Sequence, residues 1–369
     1  MKAWPVLGIT LMQAFLLLAH WFIYCTWIDF WWPLGKAATL TLEVAVLFLG
    51  LSFISAALLG FRYENWPIKI LYKLASVWLG LLNYFFLAAC LCWLIGFVFW
   101  LAGQTLDRPL IAGVLFGIAL LAGVYGLVNA RWIRIRRVAV TLPNLPQSWR
   151  GRSALLVTDL HLGNINGVRF SRRIVAMAER LRPDIVFMPG DLFDGIRADP
   201  DRLVAPFKAL APPFGTYFVD GNHEEFGDPA YYSAALARTG IRVLENESIT
   251  VDGLRIIGVS YRDSTYPIRL RATLEGLHLS RKQASILLNH APNRLPIVEQ
   301  AGISLQLSGH THGGQLFPFT WLTRRVFGKF TYGLQQFGAL QVYTSSGAGT
   351  WGPPMRVGTH PEIVLIGFE

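Results

Sequence analysis

Hydrophobic and polar positions follow two different patterns along the chain. Up to about Val128 the sequence is dominated by Leu, Phe, Trp, Ala and Gly, with few charges. Four stretches there, near 6–27, 39–61, 77–101 and 110–128, are each long enough as helix to cross a bilayer, which takes about 20 apolar residues. From Val138 onward the apolar runs are short and broken by regular turn signals. Five of them end abruptly in a polar cluster: LLVTDLH to His161, VFMPGD to Asp191, YFVDGNHE to Glu224, ILLNHAP to Pro292 and LQLSGHTH to His312. Each reads as a buried strand whose last residues spill Asp, Asn or His into a loop. In open α/β sheets, ligands bind in the crevice beyond the carboxyl ends of the strands. The pattern therefore predicts a membrane part over 1–137 and an α/β domain over 138–369 that gathers polar residues at one edge.

Composition agrees with that division. At 53% hydrophobic residues the chain is too apolar for an ordinary soluble enzyme, and the excess lies in the N-terminal part. No early A-x-A site ends the first apolar run, so it is expected to be an anchor and not a cleaved signal peptide. Cys25, Cys90 and Cys92 all fall among the apolar helices, which implies no disulfide framework. With the N-terminus inside, one side of the membrane holds Lys2, Arg62, Lys69, Lys73, Arg131, Arg134, Arg136 and Arg137, against Lys36 and Arg108 on the other. That asymmetry predicts a multi-pass protein of the inner (cytoplasmic) membrane with its second domain on the cytoplasmic side. The run RWIRIRR, ending at Arg137, sits at the membrane surface, where each basic residue gains roughly 1 kcal/mol from anionic lipid. Topology thus accounts for much of the net charge of +10, and no nucleic-acid partner is expected. His20 and Glu43 lie inside the helices, but no further polar residue lines up with them to make a relay.

The chemistry lies in the strand-end clusters. In Asp159-Leu160-His161 and in His310-Thr311-His312 the donors stand at i and i+2, on one face of an extended segment. Gly190-Asp191 delivers a carboxylate to the same edge. Gly221-Asn222-His223-Glu224 brings an amide oxygen suited to hard or borderline ions beside a proton donor, and His290 follows the ILL run. Of the eight His, five sit in these clusters, leaving His20, His278 and His360 for ordinary roles. Any one of these short motifs would be accidental more often than not; five together are not. Asp159, His161, Asp191, Asn222, His290, His310 and His312 offer seven nitrogen or oxygen ligands and no sulfur. That is too many for one tetrahedral zinc. The set fits two divalent ions sharing a carboxylate, roughly 3.5–4 Å apart, which can make a water nucleophilic near neutral pH and neutralise phosphoryl charge. Mixed carboxylate and imidazole donors favour Mn, with Fe or Zn as alternatives, over Ca or Mg.

With its order D-x-H, G-D, G-N-H-[DE], H and G-H-x-H unbroken, the chain resembles the calcineurin-like metallophosphoesterase superfamily over essentially all of 150–369. It looks closest to a membrane-anchored bacterial branch of phosphodiesterases that also carries G-H-T-H-G-G-Q, here Gly309–Gln315, and W-G-P-P-x-R, here Trp351–Arg356. The resemblance implies a four-layer α/β/β/α sandwich behind the four-helix transmembrane region, with two metals at the sheet edges. It implies Asp159, His161 and His312 on the first metal, Asp191 as the bridge, and Asn222, His290 and His310 on the second. His223 is then the non-ligand acid that protonates the leaving oxygen, and Glu224 replaces the more usual Asp.

The reaction expected is hydrolysis of a phosphodiester or pyrophosphate. Some members of the similar branch hydrolyse UDP-2,3-diacylglucosamine, so a lipid-linked substrate at the membrane is the first reading. An anchored phosphatase or phosphodiesterase for soluble nucleotides is the alternative. A non-catalytic membrane scaffold is the third, disfavoured because degenerate scaffolds lose ligands and this chain keeps all seven with His223. The segment 316–332, LFPFTWLTRRVFGKFTY, interleaves aromatics with Arg324, Arg325 and Lys329. It suits either a surface that dips into lipid headgroups or a core-packing insertion with solvated charges.

Overall fold

The computed structural model describes residues 3–31 and 35–369, so Lys2 lies outside the described residues. Contacts divide the chain into two compact units, Met1–Val128 with Gly352–Val357 and Asn129–Trp351 with Gly358–Glu369.

The first unit is built on four helices, α1 (Ala3–Phe30), α2 (Lys36–Arg62), α3 (Trp66–Leu101) and α4 (Arg108–Arg131). All four are long and apolar enough to cross a membrane. α3 begins at Trp66, well before the expected start near 77. Asn65 caps it by accepting the Ile68 N–H, and Pro67 occupies its first turn, where a missing N–H costs nothing. Its 36 residues span about 54 Å at 1.5 Å each, more than the hydrocarbon needs, so the turns holding Lys69 and Lys73 can stay in the headgroup layer. His20, Trp78, Tyr24 and Glu43 find hydrogen-bond partners within the helices. His20 Nδ1 donates to the Leu16 carbonyl at 2.7 Å while Nε2 accepts from Trp78 Nε1 at 2.8 Å, and Tyr24 donates to Glu43.

The second unit contains two six-stranded sheets. The first runs in the order β1 (Arg134–Val140), β12 (Glu362–Phe368), β2 (Ser153–Leu156), β3 (Ile185–Pro189), β4 (Thr216–Val219), β5 (Ile241–Val243). The second runs β10 (Gly333–Phe337), β11 (Leu340–Thr344), β9 (Leu305–Ser308), β8 (Ser285–Leu288), β7 (Leu254–Gly258), β6 (Glu247–Val251). Strands β2 to β5 are mutually parallel, as are β7, β8, β9 and β11. Helices α5 (Val168–Leu181), α6 (Pro200–Val204) and α7 (Pro229–Ala237) cover the outer face of the first sheet. Helices α9 (Pro267–Gly276) and α10 (Leu295–Gln300) cover the second, with the short α8 (Tyr261–Thr265) leading into α9.

Strand alternation makes the four layers. Leu155, Val186 and Met188 point outward to Ile174, Leu203 and Leu236, whereas Ala154, Leu156, Ile185 and Phe187 point inward to Ile286, Leu288, Leu305 and Leu307 of the other sheet. Leu287 turns back out to Leu270, Leu274 and Val298. A strand buried on both faces is mostly apolar, which is why β2, β3 and β8 read as short apolar runs; the buried Gln306 of β9 is accommodated because its amide donates to the Ala291 carbonyl and the Ser308 hydroxyl oxygen. Each fully buried Leu or Phe contributes about 1.5–3 kcal/mol.

Two segments depart from their expected form. Arg134, Arg136 and Arg137, expected at the membrane surface, belong to a strand, β1, paired with β12 from Arg134↔Glu362 to Val140↔Phe368. The folded domain therefore starts before 138, because an edge strand tolerates exposed arginines that also discourage further pairing. Within 316–332, residues Phe319–Phe327 form a helix, α11, with no buried residue, which argues against a core-packing insertion.

Candidate metal centre

The structure brings all eight sequence-predicted residues together at the carboxyl ends of five parallel strands. Asp159 and His161 follow β2, Asp191 follows β3, and Asn222 and His223 follow β4 in the first sheet. His290 follows β8, and His310 and His312 follow β9 in the second. Chain direction is sharply constrained there: Asp159, His161, Asp191, His310 and His312 all have φ between 47° and 70°. A non-glycine residue at positive φ is uncommon and costs free energy, and such residues cluster at functional sites. The flanking glycines make room. A Cβ on Gly221 would lie 2.6 Å from the Asp191 nitrogen, and one on Gly309 would lie 2.8 Å from Thr158 Cγ2 and also meet Asp159 Oδ2.

The donors form two clusters that meet at one carboxylate. In the first, His161 Nε2 and His312 Nε2 stand 2.9 Å apart, and His312 Nε2 lies 3.6 Å from Asp159 Oδ1. In the second, His310 Nδ1 lies 3.0 Å from Asn222 Oδ1 and 3.2 Å from His290 Nε2. Asp191 Oδ2 is 3.2 Å from His290 Nε2 in one cluster and 3.7 Å from His161 Nε2 in the other. Asp159 Oδ2 is buried with no hydrogen-bond partner. An orphaned carboxylate oxygen inside a nest of converging imidazoles is a strong demand for cations. The residues present therefore fit divalent metal ions, which Asp159, His161 and His312, and Asp191, His290 and His310, could hold as two groups.

Neighbouring groups orient these donors. His290 Nδ1 lies 2.9 Å from the Pro189 carbonyl; a carbonyl only accepts, so Nδ1 carries a proton and Nε2 is the nitrogen that faces the cluster, where a cation would displace a proton. Burial alone would lower the His290 pKa, but the charges of Asp191 and Asp159 overcome it and push it up to about 10. Burial, with His290 beside it, lowers His310 to about 4, so that ring is neutral and able to ligate. Burial raises Asp159, whereas the charge and hydrogen bond of His290 outweigh burial at Asp191 and hold it well below the carboxylate range.

Two acids of the site have parts that the sequence did not assign them. Asp194 lies buried with Oδ1 3.5 Å from His161 Nδ1, and its backbone carbonyl accepts from His223 Nδ1 at 3.1 Å. Burial pushes its pKa up to about 7. A carboxylate against the far nitrogen of a ligating histidine fixes its orientation and raises its basicity, and nothing in the local sequence pattern marks Asp194 for that part. Asp194 with His161 and His223 could also hold an ion, but the bond to the Asp194 carbonyl already takes the His223 Nδ1 proton. Glu224, fully buried, accepts three backbone N–H bonds, from Asp191 at 2.9 Å, Phe193 at 2.9 Å and Gly221 at 2.6 Å. It ties the Asp191 loop to the Gly221-Asn222 loop. Burial and the neighbouring Asp191 push its pKa up to about 8 against the pull of those N–H groups. The His223 ring packs against Phe226 at 5.0 Å and the exposed Trp351 at 5.9 Å. Gln315 holds Trp351 by a two-way amide bond to its backbone.

A four-layer α/β/β/α domain with a buried His/Asp/Asn double cluster at its strand ends defines the class of metallophosphoesterases. The profile described as Calcineurin-like phosphoesterase matches residues 153–314, the span that holds all eight residues. An uncharacterized metallophosphoesterase of Bacillus subtilis is 30% identical over 237 residues, 60% of this chain and 80% of its own. One from Campylobacter jejuni is 30% identical over 255 residues, 67% of this chain and 66% of its own. A transmembrane protein with metallophosphoesterase domain from Danio rerio is 33% identical over 262 residues, 66% of this chain and 59% of its own. The chain belongs to the calcineurin-like phosphoesterase family. It spans about six tenths of the length of the Danio relative and just under two thirds of the Campylobacter one.

Proposed function

We propose that the protein is a membrane-bound, two-metal hydrolase of phosphodiesters or pyrophosphates. The observation that carries this reading is Asp191 Oδ2 standing between two donor clusters, 3.2 Å from His290 Nε2 and 3.7 Å from His161 Nε2. Asp159, His161 and His312 would hold one ion, Asn222, His290 and His310 the other, and Asp191 both. The donor set suits Mn, with Fe or Zn as alternatives. Bound there, the ions supply a water nucleophile at neutral pH and offset charge on the phosphoryl oxygens. The chain's own part is to bind, orient and move a proton. His223, its Nδ1 proton held by the Asp194 carbonyl, donates from Nε2 only as the imidazolium, a form that burial disfavours; once protonated there, it passes that proton to the oxygen that leaves phosphorus and returns to the neutral ring. Trp351 and Phe226 wall that histidine and limit the water around it.

The substrate we favour is lipid-linked, of the UDP-2,3-diacylglucosamine kind. Only Trp132 and Ile133 separate α4 from β1, so the domain is tethered at the membrane. Phe319, Leu322 and Val326 of α11 are exposed beside Arg324 and Arg325, as suits contact with headgroups. The charge asymmetry of the loops supports an inner-membrane protein with this domain on the cytoplasmic side.

Full-length protein in detergent should cleave bis(p-nitrophenyl) phosphate with Mn²⁺ and not with chelator, and Asp191→Asn should abolish turnover. Absence of any metal-dependent, Asp191-sensitive turnover across phosphoesters would falsify the hydrolase reading. Among UDP-2,3-diacylglucosamine, phospholipids and nucleotides, faster cleavage of short soluble compounds would favour the nucleotide alternative. A periplasm-active reporter fused at Glu369 should be silent; a strong signal overturns the cytoplasmic placement.

A further inference from the structure

Beside the metal clusters lies a pocket of about 760 Å³ that the chemistry above does not use. It shares a wall with the metal loop. Gly313, next to His312, lines it, as does Thr331, whose carbonyl accepts from the Thr311 hydroxyl between His310 and His312 at 2.8 Å. α11 forms another side through Trp321 and Arg324 and continues to Phe327, whose ring is 6.1 Å from that of His310. Lys329 and Tyr332 complete the polar lining used here.

The charge of this pocket is one-sided. Between Glu299 and Glu362 the chain carries no Asp or Glu, while Arg324, Arg325 and Lys329 fall in the middle of that stretch. The Arg324 side chain is exposed and makes no hydrogen bond or ion pair among the described residues, and Lys329 gives one N–H to the Gln336 carbonyl. Glu362 is buried and taken up by the hydroxyls of Tyr332, Tyr343 and Ser345. A second basic hollow, around Arg169, Arg172 and Arg202, differs in containing its own carboxylate, Glu179. Uncompensated guanidinium and ammonium groups in a concave site, with aromatic walls from Trp321 and Tyr332, recognise phosphate through charge-assisted hydrogen bonds.

We propose that this pocket is an anion subsite of the metal centre, receiving a phosphate group of the substrate other than the one attacked. The inference rests on the hydrolase reading and deepens it: substrates with two phosphate groups in reach of one another are the class that fits. Such a group arrives either on a lipid headgroup or on a soluble compound.

The test is inorganic phosphate binding to the full-length protein in detergent with metals stripped by chelator, so that it does not depend on turnover. The unsubstituted protein should bind phosphate saturably, and the Arg324→Ala/Lys329→Ala double variant should bind at least about tenfold more weakly. Arg324→Lys should recover part of the loss, since it restores the charge without the planar fork. Arg169→Ala/Arg172→Ala should bind as the unsubstituted protein does. No phosphate binding without metals, or equal affinity in the Arg324/Lys329 double variant, overturns the subsite even if bis(p-nitrophenyl) phosphate is cleaved. Phosphate binding that depends on Arg324 and Lys329 in a protein without turnover instead overturns only the hydrolase reading. Displacement of phosphate by phosphatidic acid vesicles but not by glycerol phosphate assigns the ligand to lipid, and the reverse assigns it to a soluble compound.

Discussion

Glu224→Gln is the substitution that best isolates the scaffold from the ligands. Glu224 touches neither donor cluster directly, yet it accepts the N–H groups of Asp191 and Gly221 on Oε2 and that of Phe193 on Oε1. Glutamine keeps one acceptor oxygen and puts an NH₂ where the other oxygen was. Placed with its oxygen toward Asp191 and Gly221, it sets NH₂ against the Phe193 N–H; flipped, it opposes two donors. The better arrangement still leaves one buried donor unsatisfied, at about 1–3 kcal/mol. That strain falls on the loops carrying Asp191 and Asn222, so metal affinity should drop by about 10–100-fold, the usual effect of losing a group that orients ligands. Titrating the metal-stripped variant with Mn²⁺, with thermal unfolding alongside, reads both quantities. Unchanged Mn²⁺ affinity and unchanged melting temperature in Glu224→Gln would refute the idea that this carboxylate holds the two loops together.

Other outcomes follow from the same geometry. His223→Gln should retain its metals, measured by elemental analysis, while kcat falls by about 10²–10⁴; normal kcat would exclude the proton-donor role. Gly309→Ala places a methyl within 2.8 Å of Thr158 Cγ2 and onto Asp159 Oδ2. It should lower metal occupancy and cost about 1–3 kcal/mol in denaturant titration from overpacking. Chelation should lower the melting temperature, because ions at 100 times their Kd contribute about 2.7 kcal/mol of linkage and their loss leaves Asp159 Oδ2 buried without a partner; an unchanged melting temperature would argue against structural coupling of metal and fold.

Much of the site was legible because its donors lie within five residues of short apolar runs, bounded by turn signals, that read as doubly covered strands. His161, Asp191 and His312 needed no long-range information beyond that edge. Asp194 was hidden, since its part depends on a chain reversal that brings Oδ1 to 3.5 Å from His161 Nδ1, and an i+3 acid in a loop carries no local pattern. Glu224 read only as a replacement for the usual Asp because its three partners are backbone groups, invisible in side-chain types. The start of α3 was misplaced because its first turns carry Lys69 and Lys73, polar enough to read as loop, whereas the Asn65 cap and Pro67 begin the helix there. The helix within 316–332 was obscured for a related reason: with no buried residue, its apolar positions mark no single core-facing stripe.

Reading Asp191 as the carboxylate shared by two ions makes a claim that metal counting can decide. Full-length protein reconstituted with Mn²⁺ and freed of excess should carry two Mn per chain by inductively coupled plasma mass spectrometry, and Asp191→Asn should lose both together. One ion per chain, or loss of only one ion on Asp191→Asn, would contradict the account.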